Sequence, residues 1–137
     1  MESILATLQQ GLPVLAGQFV ATLILLGIGM TCYIVVTPFN EWRLVQEGNV
    51  AAGVVMAGTL VALALPLATT LATSVLVLDI VLWGLVALVI QLVTFVAATA
   101  SIRGLRGMIE AGNVAAALVL IGIQLAVALL NAGAMAG

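Results

Sequence analysis

Reactive side chains are scarce in this chain, and few of them lie in its long apolar runs. Asp79 is the one charged residue inside such a run, close to its start. A carboxylate at membrane depth is a candidate proton or cation site, and a position one turn into a helix also suits it electrostatically. At 1.5 Å per helical residue, Asp79 falls about 28 Å from the far end of its run, Asn131 about 25 Å along the last run and Pro66 about 24 Å along the second. Pro66 would free the carbonyl of Ala62 from its helical bond. With Gln18, these residues predict a polar layer toward one membrane face. Gln91 and Gln124 fall deeper, about 10 and 15 Å from the opposite face on neighbouring runs. Amides in hydrocarbon usually bond across helices, for roughly 1–2 kcal/mol at most. The sharper alternative is that they line a narrow pore, and amides left alone in one chain would point to pairing across subunits.

What is missing narrows the chemistry further. The chain of 137 residues has no His, no Lys and one Cys, Cys32. An intramolecular disulfide, a Cys/His metal site and His-ligated heme are therefore excluded within one chain. Nucleophilic catalysis needs a nucleophile with a base beside it, and the apolar runs hold neither a paired acid nor a His–Ser or His–Cys set. No enzymatic activity, cofactor or metal is expected. Arg43, Arg103 and Arg106 are the only basic residues, too few for a nucleic-acid footprint. Charged residues make up 6% of the chain and apolar ones 65%, whereas soluble domains carry about 25% charge. The medium around this chain is lipid.

Four apolar runs are long enough to span a bilayer, which takes about 20 residues. They extend approximately over Val14–Val36, Val50–Ala72, Leu76–Ala98 and Val114–Ala136. The first is too long for a signal-peptide core and no basic residue precedes it, so it reads as a retained helix. The expectation is an all-α membrane protein, one transmembrane domain over residues 1–137 with four transmembrane helices. Gly48-Asn49-Val50-Ala51-Ala52 recurs as Gly112-Asn113-Val114-Ala115-Ala116, 64 residues later, and Thr37 and Gly58 align with Ser101 and Gly122 at the same offset. Gly suits the left-handed end of one helix, and Asn49 and Asn113 are good N-caps for the next. Two tandem helical hairpins follow, over about 13–72 and 76–136. Each holds two crossings, so the repeat is parallel, about an axis along the membrane normal.

The connectors read as short interfacial helices. Thr37-Pro38 looks like an N-cap with Pro at the first helical position. Phe39, Trp42 and Val45 then form an apolar face, with Asn40, Glu41, Arg43, Gln46 and Glu47 on the polar one. In the second connector Ile102, Leu105, Met108 and Ile109 alternate with Arg103, Arg106 and Glu110, and Gly104 and Gly107 weaken the helix. All the arginines lie in the connectors, which places these in the cytoplasm and both termini outside. Gly53 with Ala57, Gly58 with Ala62 and Gly122 with Ala126 are small-xxx-small pairs that favour the second and fourth spans as packing helices.

Specific strings carry a resemblance: Thr37-Pro38-Phe39-Asn40-Glu41-Trp42, Asn49-Val50-Ala51-Ala52, Gly58-Thr59-Leu60, Pro66-Leu67, Asp79, Trp83-Gly84, Ala87 through Leu92, Asn113-Val114-Ala115-Ala116 and Asn131-Ala132. From Thr37 onward the chain resembles the YjfL-type family of bacterial inner-membrane proteins, whose function is unknown. The resemblance implies a four-span inner-membrane protein linked to the cell envelope and implies no activity. Two functions fit. The first is an oligomeric or partner-binding membrane scaffold whose contact face is Phe39, Trp42, Arg43, Arg103 and Arg106. The second is a small oligomeric channel or transporter subunit for an ion or small solute, resting on Asp79, Pro66, Gln91 and Gln124.

Overall fold

Each apolar run folds as one uninterrupted helix, because in a sequence this rich in Leu, Ala and Val only local backbone bonding satisfies the peptide groups. The computed structural model describes all 137 residues and contains six helices: α1 (Glu2–Val36), α2 (Glu41–Gln46), α3 (Val50–Thr73), α4 (Val77–Ser101), α5 (Leu105–Glu110) and α6 (Val114–Ala136). α1, α3, α4 and α6 are long and apolar enough to cross a membrane.

α1 departs from its expected start near Val14. It begins at Glu2 and runs through Pro13 for 35 residues, about 50 Å at 1.5 Å each. The preceding residues are mostly good helix formers, and one missing N–H at Pro13 does not end the helix. Residues 1–17 are all exposed, so this extension rests on local propensity alone.

Both Asn caps form. Asn49 Oδ1 accepts from the Ala52 N–H at 3.0 Å and Asn113 Oδ1 from the Ala116 N–H at 3.1 Å. Gly48 and Gly112 precede them with φ of 82° each, a conformation that needs glycine. The first connector is organised differently from expectation. Thr37 ends α1, its N–H and hydroxyl both donating to the Tyr33 carbonyl, and α2 starts only at Glu41 with Asn40 as its N-cap. In the second connector Gly104, at φ 70°, forms the turn before α5 and does not weaken its interior.

α3 and α4 each adjoin the other three long helices, and the most extensive contact is between α3 and α6. Gly58 permits it: a Cβ there would stand 2.5 Å from Ile121 Cγ2. α1 and α4 interlock through a reciprocal pair the small-xxx-small reading missed. Leu88 lies over Gly29 and Leu25 over Gly84, with an added Cβ only 2.6 and 2.7 Å from the leucine Cδ atoms. Gly53 and Gly122, by contrast, face open space. Two apolar clusters result. Tyr33, Phe95, Ile109 and Leu120 anchor one toward the connectors, and Leu25, Leu63, Leu67, Ile80 and Leu88 form the other toward the opposite end.

Candidate functional site

Polar side chains gather at three levels of the bundle. At the connector end, the turn after Thr37 lays α2 against α3 and brings its first residue, Glu41, to Tyr33 of α1. Glu41, expected on the polar face, is instead turned inward and only 3% exposed. The Tyr33 hydroxyl donates to Glu41 Oε1, and Tyr33 packs edge-on to Phe95. Burial pushes the Glu41 carboxyl up to about 7, partly opposed by the Tyr33 bond. Glu41 Oε2 and the hydroxyl of Thr59 are buried without partners.

The same rotation decides the connector surface. Phe39 is buried in the apolar cluster beside Leu44, so it is withdrawn from the expected contact face. Trp42, one residue past Glu41, is 61% exposed. Arg43, Arg103 and Arg106 are exposed as well. Arg43 Nε lies 3.6 Å from Glu47 Oε1 and Arg106 Nε 3.1 Å from Glu110 Oε1. Exposed pairs four residues apart on a helix are worth about 0.3–0.5 kcal/mol. Asn49 does more than cap α3: its Nδ2 donates to the carbonyls of Ile109 at 2.8 Å and Glu110 at 3.2 Å, tying the two connectors together.

At mid-depth Gln91 Nε2 donates to the Gln124 backbone carbonyl at 3.3 Å, so the two residues meet across α4 and α6 within one chain. Both are buried, and Gln91 Oε1 and Gln124 Nε2 have no partner. Toward the connectors from this level, Tyr33, Phe95 and Leu120 are buried together in one apolar cluster.

The expected polar layer at the far end is brought together only in part. Asp79 and Asn131 line one cavity of about 580 Å3, with Thr70, Thr73 and Ser74. Asn131 Nδ2 donates a long bond, 3.5 Å, to the Ala87 carbonyl. Gln18 lies apart, its Nε2 donating to the Val75 carbonyl at 2.9 Å, which ties α1 to the α3–α4 turn. Pro66 is buried within α3 and lines no part of the cavity. Nowhere do three His, Cys, Asp or Glu side chains converge as a metal site would require.

Sequence reasoning missed the Tyr33–Glu41 bond. Its one signal was the Thr37-Pro38 turn between the chain's single Tyr and a nearby Glu, since a reversal there sets the two side by side.

Comparisons with known proteins point to a family that includes inner-membrane proteins. The family described as Domain of Unknown Function (DUF350) matches residues 7–135. The chain is 35% identical over 103 residues to the UPF0719 inner membrane protein YjfL of Escherichia coli strain K12, covering 75% of this chain and 78% of that protein. The protein of the same name from Escherichia coli O157:H7 matches to the same extent. No solved structure matches. A match over nearly the whole length, joined to four membrane-length helices and the motifs quoted above, means that this chain belongs to the DUF350 family, among the YjfL-type membrane proteins.

Proposed function

We propose that the chain is a multi-pass inner-membrane protein acting as a non-catalytic scaffold subunit, alone as a homo-oligomer or with a partner docked on its connectors. The observation that carries this reading is Trp42, 61% exposed beside Arg43 on a helix anchored by the Tyr33–Glu41 bond and by buried Leu44. A rigid, exposed aromatic next to an arginine is the side-chain combination that dominates binding energy at protein interfaces. In this reading the arginine-bearing connectors face the cytoplasm as interfacial helices, and both termini are periplasmic. Parallel duplication is supported by α2 and α5, each six residues long and 64 apart, and by the matching Gly-Asn turns before α3 and α6.

The channel reading has less support. A pore between copies needs polar groups on the outer faces, but Gln91, Gln124 and Asn131 all turn inward. The hydroxyls left outside, such as Thr31 and Thr94, bond their own helix at Gly27 and Ile90. Purification in native-like nanodiscs tests the proposal: a stable partner or homo-oligomer is expected, and lost on Trp42→Ala with Arg43→Ala. Repeated recovery of the bare monomer overturns it. Solute flux in proteoliposomes that disappears with Asp79→Asn and Gln91→Leu favours the channel instead.

A further inference from the structure

We infer that the part of α1 beyond the bundle is a self-association element, which pairs with the same segment of a second copy as a short parallel coiled coil outside the membrane. This surface lies at the end opposite the connectors, so the inference holds whether or not a partner docks at Trp42.

Contacts along α1 set the height of the segment. Leu25 lies against Gly84 and Leu88 against Gly29, so α1 and α4 run side by side in the same direction and in constant register. Gln18 is bonded to the Val75 carbonyl just before α4 begins. Residues 2–17 therefore project past the start of α4 as continuous helix, by about 24 Å, and residues 1–17 are exposed throughout. α4 alone, at 25 residues or about 37 Å, already spans the roughly 30 Å hydrocarbon core. A headgroup layer covers only about 5–8 Å more. The first turns of α1 stand in water.

The projecting segment is patterned as a coiled-coil strand. Leu5, Leu8, Leu12, Leu15 and Phe19 follow at alternating intervals of three and four residues, the a and d positions of consecutive heptads. Each is about half exposed, from 47% for Leu8 to 57% for Leu15. Ser3, Thr7 and Gln10 lie on the other side of the helix, and Pro13 falls at a b position, away from the seam. Nothing within one copy covers these leucines, and an isolated helix of this length is marginal in water.

Two constraints select the occupant. Copies inserted in one membrane share an orientation, so their α1 segments project on the same side, parallel and at equal height. The positions that flank the seam and set partner choice, Ile4, Gln9, Gly11 and Ala16, carry no charge, so identical chains meet without repulsion. Phe19, where α1 enters the bundle, is itself exposed and leaves the approach open. The seam offers several hundred Å2 per copy, less than the about 800 Å2 per partner of a standard soluble interface. Confinement to one bilayer raises the effective concentration and makes up the difference.

Disulfide trapping tests the seam, with purified protein in proteoliposomes so that only copies of this chain are present. In a Cys32→Ser background, Leu8→Cys and Leu12→Cys should cross-link on mild oxidation about tenfold faster than Thr7→Cys and Gln10→Cys, because only facing seam positions come within disulfide reach. The preference should persist when added lipid dilutes the protein. Leu5→Gln with Leu12→Gln should abolish cross-linking at Leu8→Cys while helix content and cooperative melting of the bundle remain. Trp42→Ala with Arg43→Ala should leave the cross-link in place, which separates this inference from docking at the connectors. Equal rates at all four positions mean random collision and overturn the proposal. So does a seam signal that vanishes on dilution or survives the paired Gln substitutions. No cross-link at any position overturns it as well, and shielding of the seam cysteines alone from an impermeant maleimide then means that the segment lies on lipid.

Discussion

Glu41 is the residue on which pH acts. Its folded-state carboxyl titrates near 7, above the reference value of 4.5, because burial disfavours the charge. Between those two values the folded protein binds more protons than the unfolded chain, so stability rises as pH falls through about 7. The gain is complete below about 4.5 and absent above about 7. The window corresponds to on the order of 3 kcal/mol. Melting of the detergent-solubilised protein is therefore expected to shift upward on acidification from pH 8 to 5. Glu41→Gln keeps an acceptor for the Tyr33 hydroxyl but cannot ionise. It should flatten this dependence and melt above the wild type at pH 8. A wild-type melting temperature that falls on acidification over the same range contradicts the assignment.

At the scale of elements, the two Gly-Asn turns do different amounts of structural work. Asn113 caps α6 and its residue is exposed. Asn49 caps α3 and also satisfies two carbonyls at the end of α5. Replacing a cap with Ala costs about 1 kcal/mol, and each further net hydrogen bond is worth about 1 kcal/mol. Asn113→Ala should thus cost about 1 kcal/mol and Asn49→Ala about three times that, measured by reversible unfolding in mixed micelles. Equal losses would mean that the connectors are held together by packing alone. α5 contributes to that packing through Leu105 and Ile109, both buried in the cluster that holds Tyr33 and Leu120.

For the whole molecule, the arrangement that matters is which end carries which groups. Every arginine is at the connector end, and Asp79 with its cavity is at the other. The proposed orientation is checked by thiol labelling in intact cells, in a Cys32→Ser background that removes the one exposed cysteine. A membrane-impermeant reagent applied outside should label Ser74→Cys and leave Gln46→Cys untouched. The opposite pattern would reverse the orientation, and labelling of both would break the placement of α3 as a crossing.

The sequence by itself determined the medium and the elements. Sixty-five per cent apolar residues and four runs of bilayer length permit only helices in lipid, since unpaired peptide groups are too costly there. The Gly-Asn turns were equally legible, because φ above zero and N-cap geometry each select a residue type locally. Tertiary structure alone decided which polar groups meet. The rotation of α2 about its axis turned Glu41 inward and Trp42 outward, and a six-residue helix has too few residues for its periodicity to fix that phase. Glycine contacts followed the same logic: Gly29 and Gly84 accept leucines because α1 crosses α4 there, while Gly53 and Gly122 meet nothing. In a chain where nearly every residue is apolar, hydrophobic pattern cannot tell a lipid-facing side from a packed one. Side-chain volume at the helix crossings has to make that choice.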